Sequence, residues 1–99
     1  MRKIDKIIIH CSATVEGVNV STSTIKRWHV QGRGWSDIGY HYIIPLDGEI
    51  EYGRPINRSG AHTKGENETS IGICYIGGLS KSKRAKDTRT EAQKKALIK

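Results

Sequence analysis

The order of elements in this 99-residue sequence predicts one α/β domain over residues 1–99, a central mixed β-sheet flanked by helices. Three observations carry that prediction. Ile7-Ile8-Ile9 and the run from Ile71 to Ile76 are short, β-branched apolar stretches of the kind buried in a sheet. A helical pattern and then a hairpin signal, Asp47-Gly48, lie between them. Finally, Thr90-Glu91-Ala92-Gln93 reads as a capping box that opens a second helix.

Taken in order, Lys6 to Cys11 is the first strand, and it delivers His10 at its end, where the chain turns small and polar. An imidazole leaving a buried strand is well placed for metal or substrate chemistry; the plainer reading is a histidine that only satisfies its own hydrogen bonds. A polar loop runs from Ser12 to Val20. Ser21 or a neighbouring hydroxyl then caps a helix in which Ile25, Trp28 and His29 recur at helical spacing, with His29 on its packing face, and Gly32 and Gly34 end it. Ile38 to Ile44 alternates as a strand, which the Asp47-Gly48 turn folds back onto Glu49 to Tyr52. Gly53 to Gly65 is a loop, and Ile71 to Ile76 is a strand closed by Gly77-Gly78. The helix that opens near Thr90 meets the end of the sequence at Lys99, so the fold is expected to be C-terminally incomplete, ending inside an element. An apolar face left uncovered in this way would favour self-association.

Composition narrows the partners. Seventeen Lys and Arg against ten Asp and Glu give a net charge of +7, which favours an anionic partner such as a cell-wall polymer, a nucleic acid or an acidic membrane surface. The densest basic run, Lys81 to Lys86, has no interleaved aromatics to stack on bases, so it reads as a solvated loop and nucleic acid is disfavoured. No stretch is long and apolar enough for a secretory signal or a membrane span; the expectation is a chain that is cytoplasmic as synthesised, with no membrane partner. Cys11 and Cys74 then read as reduced thiols. With no phenylalanine, the core must rest on isoleucine, helped by tryptophan and tyrosine.

Four segments stand in a recognisable order: IIIHCSAT, GWSDIGYHYII, DGEIEYGRP and GAHTKGENETSIGICYIGG. Together they resemble the type-2 N-acetylmuramoyl-L-alanine amidases, zinc amide hydrolases related to peptidoglycan recognition proteins, and most of all the phage lysozyme-type branch. The resemblance implies a zinc cofactor with His10 as first ligand. It implies that Tyr40 assists attack beside the metal, and that His62 and Thr63 line the groove for the peptide stem. Asn67 falls where relatives hold that loop or touch substrate. The partner implied is peptidoglycan or a muropeptide, cleaved between the lactyl group and L-alanine, and the setting is a lysis enzyme released to the wall.

Two departures qualify what is implied. The family's other two zinc ligands lie beyond the helix near Thr90, where this sequence stops, so one imidazole cannot complete the site. Cys74 stands where many relatives carry glutamate; it reads as an inert buried thiol, or as a soft substitute ligand if it approaches His10. Two other readings use the same fold: a non-catalytic peptidoglycan-binding module, and a regulator that binds a phage RNA polymerase.

Overall fold

The computed structural model describes residues 3–34 and 38–98. Trp35, Ser36 and Asp37, part of the GWSDIGYHYII segment, lie outside the described residues, as does Lys99.

The elements are β1 (Lys6–Cys11), β2 (Thr14–Val15), α1 (Thr22–Arg27) continued by a π-helical segment (Trp28–Gly32), β3 (Tyr42–Ile44), β4 (Glu51–Tyr52), a 3-10 turn (Asn67–Thr69), β5 (Ser70–Tyr75), β6 (Gly78–Leu79) and α2 (Glu91–Ile98). The main sheet has the order β1-β5-β3-β4. β5 inserts parallel between β1 and β3, and β4 returns antiparallel beside β3, so the sheet is mixed as expected. β2 and β6 form a separate parallel pair.

Local chemistry accounts for most boundaries. Ser21 Oγ accepts from Thr24 N at the start of α1. Gly48 N donates to Pro45 O in the turn before β4, and Gly48 adopts φ +78°, which suits glycine. At α2 the capping box is complete: Gln93 N donates to Thr90 Oγ1 at 3.1 Å while Thr90 N donates to Gln93 Oε1 at 2.9 Å.

Three sequence expectations need correction. Only Tyr42–Ile44 of the run from Ile38 is strand, because the preceding backbone bonds elsewhere: Ile38 O accepts from Arg54 Nε, Gly39 O from Ala61 N and Tyr40 O from Arg54 N. The Ser12–Val20 loop contains β2, and Gly78 continues into β6 instead of only closing β5. Trp28 is 47 % exposed and so adds little to the core.

The core is indeed isoleucine. Ile25 of α1 packs with Ile38, Ile43 and Ile76, joined by Val20 and Tyr40, on one face of the sheet. The opposite face is apolar but open: Ile7 and Ile9 on the edge strand β1 are 62 % and 51 % exposed, beside Ile73, Tyr42 and Tyr52. α2 covers one end of it with Ala96 and Leu97. Fully buried Gln93 anchors α2 there, its Nε2 donating to Ile44 O and Ile76 O at 3.0 Å each.

Gln93→Ala removes these bonds and leaves buried carbonyls short of a donor, an expected loss of about 2–4 kcal/mol in chemical denaturation. Ile9→Lys should make the sedimentation coefficient less concentration-dependent while leaving far-UV circular dichroism unchanged, since it charges the exposed edge without touching the buried core.

Candidate functional site

The site forms on the covered face of the sheet. Register pairs His10 with Cys74, and Cys74 in turn with Ile43, so these three share that face with Gly72 and Ser70 of β5. His62 descends onto this face from the loop before the 3-10 turn. Its ring occupies the space a side chain would need at Gly72 or Gly60: a Cβ there would lie 2.4 Å or 2.5 Å from His62 Cδ2. Both glycines are therefore seats for the imidazole, a role not read from the sequence although an isolated glycine inside a strand signals close approach.

Asn67 fixes the loop. Its Oδ1 accepts from His62 N at 3.0 Å and from Thr63 N at 2.9 Å, so of the two expectations for Asn67 the structure displays the loop-holding contact. His62 and Thr63 then face His10. His10 Nε2 lies 3.0 Å from His62 Nδ1 and 3.0 Å from Thr63 Oγ1, and His62 Nδ1 lies 3.1 Å from Thr63 Oγ1. Burial holds the His10 imidazole below its ordinary 6.5, so it is neutral at pH 7.

Tyr40 stands among the histidines, its ring centroid 5.6 Å from His10, 5.5 Å from His29 and 6.4 Å from His62. Burial first, and then the Cys74 and Cys11 thiols, push the Tyr40 phenol above its usual range; its hydroxyl hydrogen-bonds to Cys74 and stays protonated. Cys74 is fully buried, its Sγ donates to Tyr75 O at 3.7 Å, and burial pushes the thiol up to about 12. A protonated thiol is a poor ligand, so Cys74 reads as inert despite its position beside His10.

All five residues singled out in the sequence thus come together: His10, Tyr40, His62 and Thr63 around one space, with Asn67 behind them. Beside them Arg33, Lys64 and Gly65 join Ala61, His62, Thr63 and Asn67 around an open cavity of about 360 Å³. The two remaining histidines serve the backbone: His29 Nδ1 accepts from Gly39 N at 2.9 Å, and buried His41 accepts from Gly72 N through Nδ1 and donates to Arg58 O through Nε2.

A catalytic zinc needs three protein ligands and an open position. Among the described residues no cluster of three or more His, Cys, Asp and Glu side chains could hold a metal ion. The described residues therefore do not fit a complete three-ligand zinc site; they offer two imidazoles and a hydroxyl.

Comparison with known proteins places this geometry. The sequence profile of the N-acetylmuramoyl-L-alanine amidase family matches residues 1–99. The endolysin of Escherichia phage T7 is 43 % identical over 93 residues, 94 % of this chain and 61 % of its own. The solved N-acetylmuramoyl-L-alanine amidase LysC from Clostridium intestinale superposes with a TM-score of 0.80 at 32 % identity, covering 98 % of this chain and 59 % of LysC. The bumblebee PGRP-SA structure gives 0.79 at 35 % identity, covering 96 % of this chain and 57 % of that one. The chain spans about three fifths of the length of the curated endolysins it matches.

Burial, reinforced by Arg33 and Arg54, also holds His29 below its ordinary 6.5. The unfolded chain takes up a proton at higher pH than the folded one, so this stability is present above about pH 6.5 and is lost as pH falls below it. The melting temperature is expected to drop between pH 7 and pH 5. His29→Gln, which keeps an acceptor for Gly39 N, should flatten that slope in part, with His10 still contributing in the same direction.

Proposed function

The chain belongs to the type-2 N-acetylmuramoyl-L-alanine amidase family, and from this premise we propose that it forms the groove-bearing part of a peptidoglycan amidase that hydrolyses the lactyl–L-alanine amide bond. The observation that carries the reading is the convergence of His10, Tyr40, His62 and Thr63 on one face of the sheet. Zinc dependence is part of the proposal, with His10 as this chain's contribution to the metal.

The chain's own residues support the chemistry in definite ways. A phenol held protonated beside the reacting amide is a hydrogen-bond donor to a developing oxyanion, which is the role proposed for Tyr40. His62 and Thr63 line the groove for the stem peptide, on a loop whose position Asn67 fixes. Cationic Arg33 and Lys64 at the neighbouring cavity suit an acidic stem. Among the described residues no helix is long and apolar enough to cross a membrane. The setting proposed is that of a phage endolysin, made in the cytoplasm and released to the wall by a lysis system.

One observation favours a second reading. Because the described residues fall short of three strong ligands, the same groove also suits a muropeptide-binding module without turnover.

The test is zinc-supplemented incubation with a purified muropeptide, following by mass spectrometry the release of a stem peptide with a free L-alanine amine. Release is expected, with Tyr40→Phe slower by roughly 10²-fold, the scale of losing one oxyanion donor. Muropeptide binding without release at any zinc concentration would replace the amidase reading with the binding module.

A further inference from the structure

The three donor atoms at the centre of the site stand in a nearly equilateral triangle, with edges of 3.0, 3.0 and 3.1 Å between His10 Nε2, His62 Nδ1 and Thr63 Oγ1. A hydrogen points along one edge at a time, so hydrogen bonding alone gives no reason for three equal edges. Ligands sharing one metal ion do. Bonds of about 2.0–2.1 Å at tetrahedral or octahedral angles place neighbouring donors roughly 3.0–3.4 Å apart.

We propose that His10, His62 and Thr63 form a facial site for a divalent transition-metal ion such as zinc or cobalt, with His62 as the second imidazole ligand through Nδ1. This goes beyond the amidase reading and does not depend on it, since it concerns an ion bound by these residues with no substrate present. It also differs from the zinc site that the resemblance implies, which takes His10 but draws its other ligands from residues this chain lacks.

The surroundings of His62 suit a ligand. The ring is seated over Gly60 and Gly72, and Asn67 Oδ1 holds the backbone on both sides of it, so little ordering is left for an ion to impose. On its far side, Nε2 faces Ser70 Oγ at 3.5 Å, and that hydroxyl already donates to Glu66 O at 2.7 Å. Ser70 therefore presents a lone pair to Nε2, which favours the proton there and turns the Nδ1 lone pair toward His10. Metal-bound imidazoles are oriented in the same way, by an acceptor on the second nitrogen. Two neutral imidazoles suit zinc, cobalt, nickel and copper, whereas calcium and magnesium prefer all-oxygen shells. A threonine hydroxyl is a weak third donor, so the bound ion is labile and keeps open positions.

The experiment is a zinc titration of the ¹⁵N-labelled chain, reading the ring nitrogens by long-range proton–nitrogen correlation. At one equivalent, His10 Nε2 and His62 Nδ1 should move together to metal-bound shifts while the rings of His29 and His41 stay in place. His10→Ala and His62→Gln should each weaken zinc binding at least about tenfold, and Thr63→Val by less. A shift at His10 alone, or wild-type affinity in His62→Gln, would overturn the assignment. The ring-nitrogen spectrum is read on the wild-type chain, so it decides the matter even if a substitution disturbs folding. Activity is not part of the readout, so failure here leaves the amide-hydrolysis test unaffected.

Discussion

The parallel pairing of β1 with β5 is the constraint on which the rest depends. Six residue pairs, from Lys6 with Ser70 to Cys11 with Tyr75, hold the two strands in one register. That register sends His10 to the face shared by Gly72 and Cys74 and sends Ile7 and Ile9 to the other. Because side chains alternate, a slip of one residue would put the imidazole on the apolar face and the isoleucines in the site. Parallel strands cannot be joined by a tight hairpin, so the chain between them is long, and it carries α1, β3, β4 and the His62 loop. The insertion of β5 between β1 and β3 brings the end of that loop back over its own strand. His62 meets His10 as a consequence of topology.

Much of this was legible in the sequence, and the failures have physical causes. β1 was legible to the residue because an apolar β-branched run stops abruptly at polar Ser12. The Ser21 cap and the Thr90–Gln93 box were legible because capping is local chemistry between residues three apart. Ile38 to Tyr40 looked like strand because alternation reports which side chains are buried and says nothing of which backbone partner is available; here Arg54 and Ala61 take those carbonyls. β2 and β6 were missed because two-residue strands carry no periodicity. At the site, periodicity pointed only to His10. Tyr40, His62, Thr63 and Asn67 were grouped by resemblance, since no local pattern links residues so far apart in the chain. The seats at Gly60 and Gly72 are a long-range fact about what touches them.

The two faces of the sheet divide the energetics. Strands in parallel sheets are ordinarily covered on both sides. Here the face toward α1 holds the isoleucine core and the histidines, while the other is closed only at one end by α2. The anchor of α2 is polar: Gln93 reaches two main-chain carbonyls at the ends of the sheet, and Thr90 Oγ1 donates to Leu46 O at 2.7 Å. Main-chain acceptors at strand ends lie at fixed positions, so these bonds set the height and angle of the helix where apolar packing would leave it free to slide.

The four histidines of the chain show how one residue type is sorted by its surroundings. His41 is 1 % exposed and has both nitrogens engaged, one accepting from Gly72 N and one donating to Arg58 O. That arrangement requires the neutral ring and ties β5 to the loop after β4. His29 holds Gly39 N, the residue before Tyr40, and so helps set where the phenol stands. His10 and His62 differ from both: each points a ring nitrogen at the other and at Thr63, away from any main-chain partner in those contacts. Histidines that secure the backbone have their nitrogens occupied by peptide groups, whereas those that meet each other leave donor atoms converging on one point. That convergence, more than the count of histidines, distinguishes the chemical part of this face from its structural part.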